Sequence, residues 1–355
     1  MIKYLGSKRR LVGQLGGLLS ASGAATALDL FTGTTRVAQE FCRRGALVTA
    51  VDTASYSEVL AQCYVATPAE AIDPAEVDEA LARLAALPDR RGYVTEVFAE
   101  RARYFHPGNA VRIDAIREGI DELYPDGRLR PIVLTALLEA ADAVDSTVGV
   151  QMAYLKQWAP RALRPLRLRA PVLTPGAGRA LRRDALAAVR ELEPMGLAYL
   201  DPPYNQHRYF NNYHVWETLV RWDAPEHYGV ACKRVDARED ANRSPFNSRR
   251  TMPSALAEVI ERVRAEVVVV SFSDEGFLPI GELGEMLAVR GQPVEVLAFD
   301  TRRYIGSVIG IYSPGGVKVG SVGHHRNTEY LLVSGPEELL PSLAAATATG
   351  EDADP

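Results

Sequence analysis

Asp201-Pro202-Pro203-Tyr204 closes the apolar run "GLAYL" (196–200), and it is the stretch of this chain best suited to do chemistry. Proline has no N–H to donate, so a strand ladder cannot run on through this tetrapeptide. Two prolines stiffen the backbone behind it. The rigid loop presents two acceptors side by side, the Asp201 carboxylate and the Pro202 carbonyl, with the Tyr204 ring next to them. Two acceptors at one point match an exocyclic amino group, which has two protons to give. An aromatic plane beside them matches a nucleobase taken out of its stack. A proline-stiffened turn with a surface tyrosine is the plainer reading. With Pro near ~5% of residues, however, the tetrapeptide arises by accident in about one chain of this length in several hundred.

A second constellation lies near the N-terminus. Asp29-Leu30-Phe31-Thr32-Gly33 follows the β-like run "ATALDLF" (25–31), and the C-terminal edge of a parallel strand is where open α/β sheets bind ligands. Gly33 lets a ligand approach the backbone closely. Asp52 ends the next strand, 19 positions after Gly33, where a carboxylate accepts from ribose hydroxyls. The full GxGxxG fingerprint is absent, which argues against a nicotinamide dehydrogenase and for a nucleoside cofactor without a pyrophosphate.

These residues need a sheet to hold them. "RVAQEFCRRG" has helical spacing, Gly45 is a helix stop, and "ALVTAVD" (46–52) reads as the next strand, giving a β-α-β unit. From about 66 to 160 the patterns become helical, in "PAEVDEALARLAAL", "AVRIDAIREGIDELY" and "PIVLTALLEAADAVD". After about 180 strands return in "GLAYLD", "EVVVVSFS", "VEVLAF" and "EYLLVSG", with helical stretches such as "SALAEVIERVRA" between some of them. The chain therefore reads as an α/β protein with a largely parallel sheet, interrupted by a mostly helical insertion. Residues 1–65 and 181–340 are expected to form one discontinuous catalytic domain, 66–180 the insertion, and 341–355 a disordered tail.

With 355 residues, 47% of them hydrophobic, there is ample material for a large core. The net charge of −5 does not favour a nucleic-acid partner, but its distribution does. From Lys156 to Arg183 there are eight basic residues and no acid, and "KYLGSKRR" adds four more. Such segregation gives an acidic protein one positive face. Lys156, Arg161, Arg164, Arg167 and Arg169 are expected on phosphates or flanking structure; a merely solvated face is the alternative. Cys42, Cys63 and Cys232 are scattered and form neither a disulfide framework nor a zinc pattern, so a reducing cytoplasm is expected. No apolar run approaches the roughly 20 residues of a membrane span, and no secretory signal pattern is present. No metal site is expected, and His324-His325 read as surface or packing residues. His207 and His214 flank the Asp201–Tyr204 stretch, with a nucleic-acid contact open for both. Trp158, Trp216 and Trp222 read as packing residues.

Taken together, these stretches resemble the D12 class, or Dam-like, adenine-N6 DNA methyltransferases, in the family's order over most of the chain. "IKYLGSKRRL" resembles the N-terminal cofactor motif, "ALDLFTGTTRVA" the main S-adenosylmethionine (SAM) loop, and "AVD" the strand that ends in the ribose-binding acid. "LRRDAL" resembles the segment whose acid lies beside the cofactor's adenine, and "YLDPPYNQHRYFNNYH" the catalytic loop. "VDSTVGVQMAYLKQW", "SPFNSRR", "VVVVSFSDEGFLP" and "HHRNTEYLLV" echo further family segments. The SAM loop usually ends in glycine where this chain has Thr35.

The resemblance implies a Rossmann-like SAM-dependent methyltransferase sheet with a helical recognition region. It implies methyl transfer from SAM to N6 of a flipped adenine, with Asp201, Pro202 and Tyr204 catalytic. Tyr4, Lys8, Asp29, Phe31, Gly33, Asp52, Asp184 and Asp201 are the implied cofactor residues. Asn205, Arg208 and Arg249 join the basic run as expected DNA contacts. Double-stranded DNA is the implied partner; a separately acting restriction endonuclease is left open, and a monomer or weak dimer is expected. The alternatives are a cytosine-N4 enzyme, whose loop usually begins with Ser, and a non-catalytic DNA-binding protein on the same scaffold.

Overall fold

The computed structural model describes residues 2–6, 8–302, 311–312, 318–320 and 326–348. His324-His325 and the chain after 348 lie outside the described residues. From the N-terminus come α1 (Val12–Ser22), β1 (Thr26–Leu30), α2 (Arg36–Arg43), β2 (Leu47–Asp52) and α3 (Ser55–Tyr64). The helical stretch follows, with α4 (Pro74–Ala85), a π-helical segment (Val94–Arg101), α5 (Pro107–Leu123) and α6 (Leu129–Ala143). Next are β3 (Arg179–Arg182), α7 (Ala185–Glu191), β4 (Met195–Leu200), α8 (Tyr209–Asn212) and α9 (His214–Arg221). The hairpin β5 (His227–Tyr228)–β6 (Lys233–Arg234) leads to α10 (Met252–Arg262), β7 (Ala265–Ser273), α11 (Ile280–Ala288) and β8 (Val294–Arg302). Last come β9 (Ile311–Tyr312), β10 (Lys318–Gly320), β11 (Arg326–Ser334) and α12 (Leu340–Ala348). Among the described residues no helix is long and apolar enough to cross a membrane.

The chain forms two compact units. Met1–Val12, Phe31–Asp184 and Arg208–Arg243 make the first; Gly13–Leu30, Ala185–His207 and the chain from Ser244 onward make the second. The expected divisions at 65/66 and 180/181 mark changes of secondary structure. The compact units divide elsewhere because they follow which segments pack together.

The second unit holds strands in the order β1-β4-β7-β11-β8. β1, β4 and β7 are parallel, while β11 runs antiparallel to both β7 and β8. Leu197–Leu200 and Val267–Val270 are almost wholly buried. Strands covered on both faces read as unbroken apolar runs, which is why "VVVV" shows no alternation. The tail expected to be disordered from 341 is helical as far as Ala348: alanines favour helix, and Leu343 is buried. A Cβ on Gly17 of α1 would lie 2.8 Å from the Ala346 carbonyl oxygen of α12, so the two helices meet backbone to backbone there.

In the first unit β2 and β3 are parallel, with Asp52 in register with Arg182. The sequence patterns do not flag β3, "RALR", because it is short, half basic and not alternating. It draws the sheet boundary at Arg179, inside the expected insertion. The insertion enters and leaves at one point: Gly178 N donates to Val65 O (2.9 Å) and Ala69 N to Thr174 O (3.1 Å). Gly178 must be glycine here, since a Cβ would stand 2.4 Å from Val48 O. Asp73 caps α4 by accepting from Ala75 N (2.9 Å), with Pro74 at the first helical position. The π-helical segment owes its start to buried Asp114, which accepts from Gly92, Val94 and Thr95 N and from Thr95 Oγ1.

Candidate active site

In the first unit, residues 31–35 form a turn with unusual backbone geometry. Phe31, Gly33 and Thr35 all have positive φ, at 80°, 52° and 63°. Only glycine takes this region freely; a β-branched residue there is strained. The turn is held from three sides. Phe31 N and Thr32 N both donate to Val51 O (3.0 and 2.9 Å), Thr35 N donates to Thr32 O (2.7 Å), and Gly33 N donates to Asp52 Oδ2 (2.9 Å). Thr35 is buried, and its Oγ1 accepts from Gln39 Nε2 (2.9 Å). That bond offsets part of the strain at the position where the D12 pattern has glycine.

Asp52 also accepts from Ala54 N through Oδ1 (3.0 Å), so one carboxylate fixes both the turn and the approach to α3. Burial raises its pKa, and the backbone hydrogen bonds from Ala54, Gly33 and Thr53 pull it back down. Each carboxylate oxygen has two lone pairs, so these bonds leave acceptor capacity for a ligand's hydroxyls. Arg183 N donates to Asp52 O (2.9 Å), and β2 and β3 end in step. Asp52 and exposed Asp184 therefore reach the same C-terminal edge of a parallel pair.

Tyr4 lies against this turn. A Cβ on Gly33 would be 3.0 Å from Tyr4 Cε1, so the left-handed φ and the close approach both require glycine there. Tyr4 stacks on Tyr213 (4.6 Å between centroids) and Tyr209 (5.2 Å), and its hydroxyl is 3.2 Å from that of Tyr56. Burial raises the pKa of both Tyr4 and Tyr56 well above the ordinary value, so both remain phenols. Leu5 N donates to Tyr213 Oη (2.5 Å). Lys8, which the family resemblance also assigns to the cofactor, is buried.

Sequence patterns do not single out Tyr56, Tyr209 and Tyr213, which pack on Tyr4, or Glu217, which meets the start of α3. Buried Glu217 accepts from Ser55 N (2.9 Å) at the start of α3; burial raises its pKa and the bond from Ser55 opposes the shift. Arg182 Nη1 donates to Ser55 Oγ (2.7 Å). His214 proves to be a core residue: it is fully buried, burial lowers its pKa to about 3, and its Nε2 lies 3.0 Å from Gln151 O. That burial removes His214 from the DNA contacts left open above. Trp216 is likewise core.

In the second unit β4 runs between β1 and β7, and Asp201-Pro202-Pro203-Tyr204 emerges from its C-terminal end. Asp29 is buried in β1, in register with Tyr199, at the same edge. Pro202 is buried, while Asp201 and Tyr204 are half-buried. The loop is clamped from behind. Tyr204 O accepts from Phe277 N (2.9 Å), and the Tyr204 ring lies 5.4 Å from that of Phe272 at 55°. Asn247 Nδ2 donates to both Asn205 O and His207 O (2.9 Å each), and Asn205 Oδ1 accepts from His207 N (2.9 Å). Asn205 thus shapes the loop as well as lining it. Exposed Arg249 follows Asn247 by two residues.

The basic run, in the first unit, is rigidly based. Buried Asn109 of α5 donates to Ala162 O and Arg164 O (3.0 and 2.9 Å) and accepts from Leu166 N (2.9 Å). Lys156, Arg164, Arg167 and Arg169 are exposed, as is Arg208 before α8. Arg161 differs: it is half-buried, and Nε and Nη2 both donate to Asp145 Oδ1 (2.9 and 2.7 Å). Trp158 packs under the Arg103 guanidinium (4.4 Å). Among the described residues no group of three or more His, Cys, Asp or Glu side chains could hold a metal.

Residues 4–252 match the model of the D12 class N6 adenine-specific DNA methyltransferase family. The type II methyltransferase M.NlaIII of Neisseria lactamica is 28% identical over 318 residues, covering 85% of this chain and 92% of that protein. Modification methylase LlaI of Lactococcus lactis subsp. lactis is 28% identical over 335 residues, covering 85% of this chain and 51% of that protein. The type II methyltransferase M.FokI of Planomicrobium okeanokoites is 31% identical over 196 residues, 54% of this chain and 30% of that protein. The chain thus spans most of one of these relatives and about half or less of the other two.

Proposed function

The chain belongs to the D12 class of N6 adenine-specific DNA methyltransferases, and on that premise we propose that Asp201, Pro202 and Tyr204 carry the methyl transfer and that SAM is the donor. The carrying observation is the clamped Asp201–Tyr204 loop at the end of a strand flanked by two parallel neighbours. Adenine N6 is a poor nucleophile because its lone pair is delocalised into the ring. The Asp201 carboxylate and Pro202 carbonyl accept its two N–H groups and favour a nitrogen whose lone pair is localised. These acceptors stand fixed before charge develops, which is electrostatic preorganisation. When bound, SAM supplies a methyl carbon on a sulfonium sulfur that leaves as a neutral thioether. The amino nitrogen forms the new C–N bond and gives up one proton. Tyr204 offers its ring to the flipped base, replacing part of the stacking lost from the duplex.

The turn at 31–35 fits a nucleoside cofactor. Gly33 adds no side chain, and Asp52 keeps lone pairs for ribose hydroxyls, with Asp184 at the same edge for the adenine. Tyr4, Lys8 and Phe31, from the same unit, join that site, and we assign Asp29 to the cofactor on the family resemblance alone. The insertion, residues 66–180, serves as the recognition region up to the start of β3, and its Lys156, Arg164, Arg167 and Arg169 contact phosphates. Phosphate contacts position the protein and base-edge contacts specify the site. Asn205, Arg208 and Arg249 act at the flipped adenine's flanks. A cytoplasmic enzyme acting on double-stranded DNA as a monomer or weak dimer completes this reading.

Calorimetry with SAM, using NAD as control, followed by transfer of tritiated methyl to duplex DNA, tests this reading. SAM binding and tritium in adenine are expected. NAD binding without SAM binding, or a folded protein that binds SAM and DNA yet transfers nothing, would sink it.

A further inference from the structure

One buried carboxylate in the first unit joins two segments to which the proposed function gives different tasks. Asp145, two residues beyond α6, is 2% exposed. Its Oδ1 is 3.2 Å from Lys3 Nζ and accepts from Arg161 Nε and Nη2 (2.9 and 2.7 Å). Its Oδ2 accepts from Thr147 Oγ1 (2.5 Å), and Arg161 Nη2 also donates to Thr147 O (2.5 Å). Lys3 is held as well by buried Asp142, whose Oδ2 accepts from Lys3 N (3.1 Å) and Nζ (3.0 Å). The next residue, Tyr4, lies against Gly33 of the cofactor turn. Arg161 stands near the start of the basic run, in the segment that Asn109 fixes.

Asp142 and Asp145 are buried while Lys3 and Arg161 keep about a third of their side chains in solvent, so the carboxylates' desolvation is offset only where these contacts are well formed. What the network adds is registry: it ties the seat of Tyr4 to the seat of Arg161. We propose that Asp145 is a positioning residue that couples cofactor binding to DNA binding, with Arg161 serving as its anchor in the recognition region and not as a phosphate contact. This rests on the reading that the 31–35 turn holds SAM and the basic run meets DNA. Coupling of this kind is reciprocal: DNA tightens cofactor binding by the factor by which cofactor tightens DNA binding.

The test uses the full chain and S-adenosylhomocysteine, which has no methyl to lose, titrated by calorimetry with and without a saturating linear plasmid duplex. Wild type is expected to bind it about fivefold or more tightly with DNA present, the lower end of typical coupling. Asp145→Asn should bring that ratio to one. Arg161→Met should also lose it, while Arg161→Lys, which keeps the charge, should restore part of it. That rescue separates positioning from simple loss of fold, and it decides the matter if Asp145→Asn does not fold. A wild-type ratio of one overturns the proposal. So does a wild-type ratio in folded Asp145→Asn, or an Arg161→Met protein that couples as well as Arg161→Lys. A wild type that binds no S-adenosylhomocysteine at all refutes the functional reading instead.

Discussion

The Asp201–Tyr204 loop and the Phe31–Thr35 turn both follow a buried strand, but they are held in opposite ways. The 201–204 loop takes most of its rigidity from covalent structure, two adjacent prolines, with a clamp from Asn247 and Phe277 behind it. The 31–35 turn has three left-handed residues in five, and its order comes from partners elsewhere: Val51 O, the Asp52 carboxylate and the Tyr4 ring. A loop fixed by its own residues should fail only in its chemistry when a reacting group is removed. A turn fixed by tertiary partners should lose affinity when any partner is removed.

The largest effect that sharpens this contrast is Asp201→Ala. It is expected to slow single-turnover methyl transfer by roughly 10²–10³ or more, because it removes a preorganised acceptor. SAM affinity by calorimetry should change little. If the variant lost SAM binding as well, the two regions would not be functionally separate.

Asp52→Ala should do the reverse. Losing a charged acceptor that holds Gly33 N and Ala54 N should cost about 1.5–3 kcal/mol of SAM affinity. The rate at saturating SAM should fall less than affinity does. Normal SAM binding in this variant would remove Asp52 from the cofactor site and direct attention to Glu58.

Tyr204→Ala should cost on the order of 1–3 kcal/mol of stacking on the extruded base, read as weaker capture of the target duplex. Tyr204→Phe keeps the ring and should be mild. Two equally inactive variants would assign the role to the hydroxyl.

The smallest effect tests strain in the turn. Thr35→Gly relieves the left-handed φ but loses the bond from Gln39, and these changes nearly cancel. Thr35→Ala keeps the strain and loses the same bond. Thr35→Gly should therefore be the more stable of the two by about 1 kcal/mol in chemical denaturation. The opposite order would mean that the turn carries no such strain.

How far the sequence reads through follows from the same contrast. The catalytic loop is legible because its signal is local and rare: an apolar run, an acid, two prolines and an aromatic. Gly33 and Asp52 are legible because a β-α-β unit sets their spacing. Tyr213 and Glu217 are not, since they reach Tyr4, Tyr56 and the start of α3 from far along the chain, and Tyr56 reads as an ordinary residue of α3. The basic run reads as one charge cluster, yet buried Asp145 takes Arg161 out of it; ion pairing across 16 residues of irregular chain leaves no periodic trace. β3 escapes because its strand character comes from pairing with β2 and not from its composition.

The central claim is that the Asp201–Tyr204 loop methylates adenine N6 in DNA. The most direct test is nucleoside analysis of DNA from cells expressing the wild-type chain, alongside base-resolved modification mapping. N6-methyladenine confined to one sequence context, and absent with Asp201→Ala, is the expected result. N4-methylcytosine in its place, or unmodified DNA from cells containing folded, SAM-binding protein, would contradict the account.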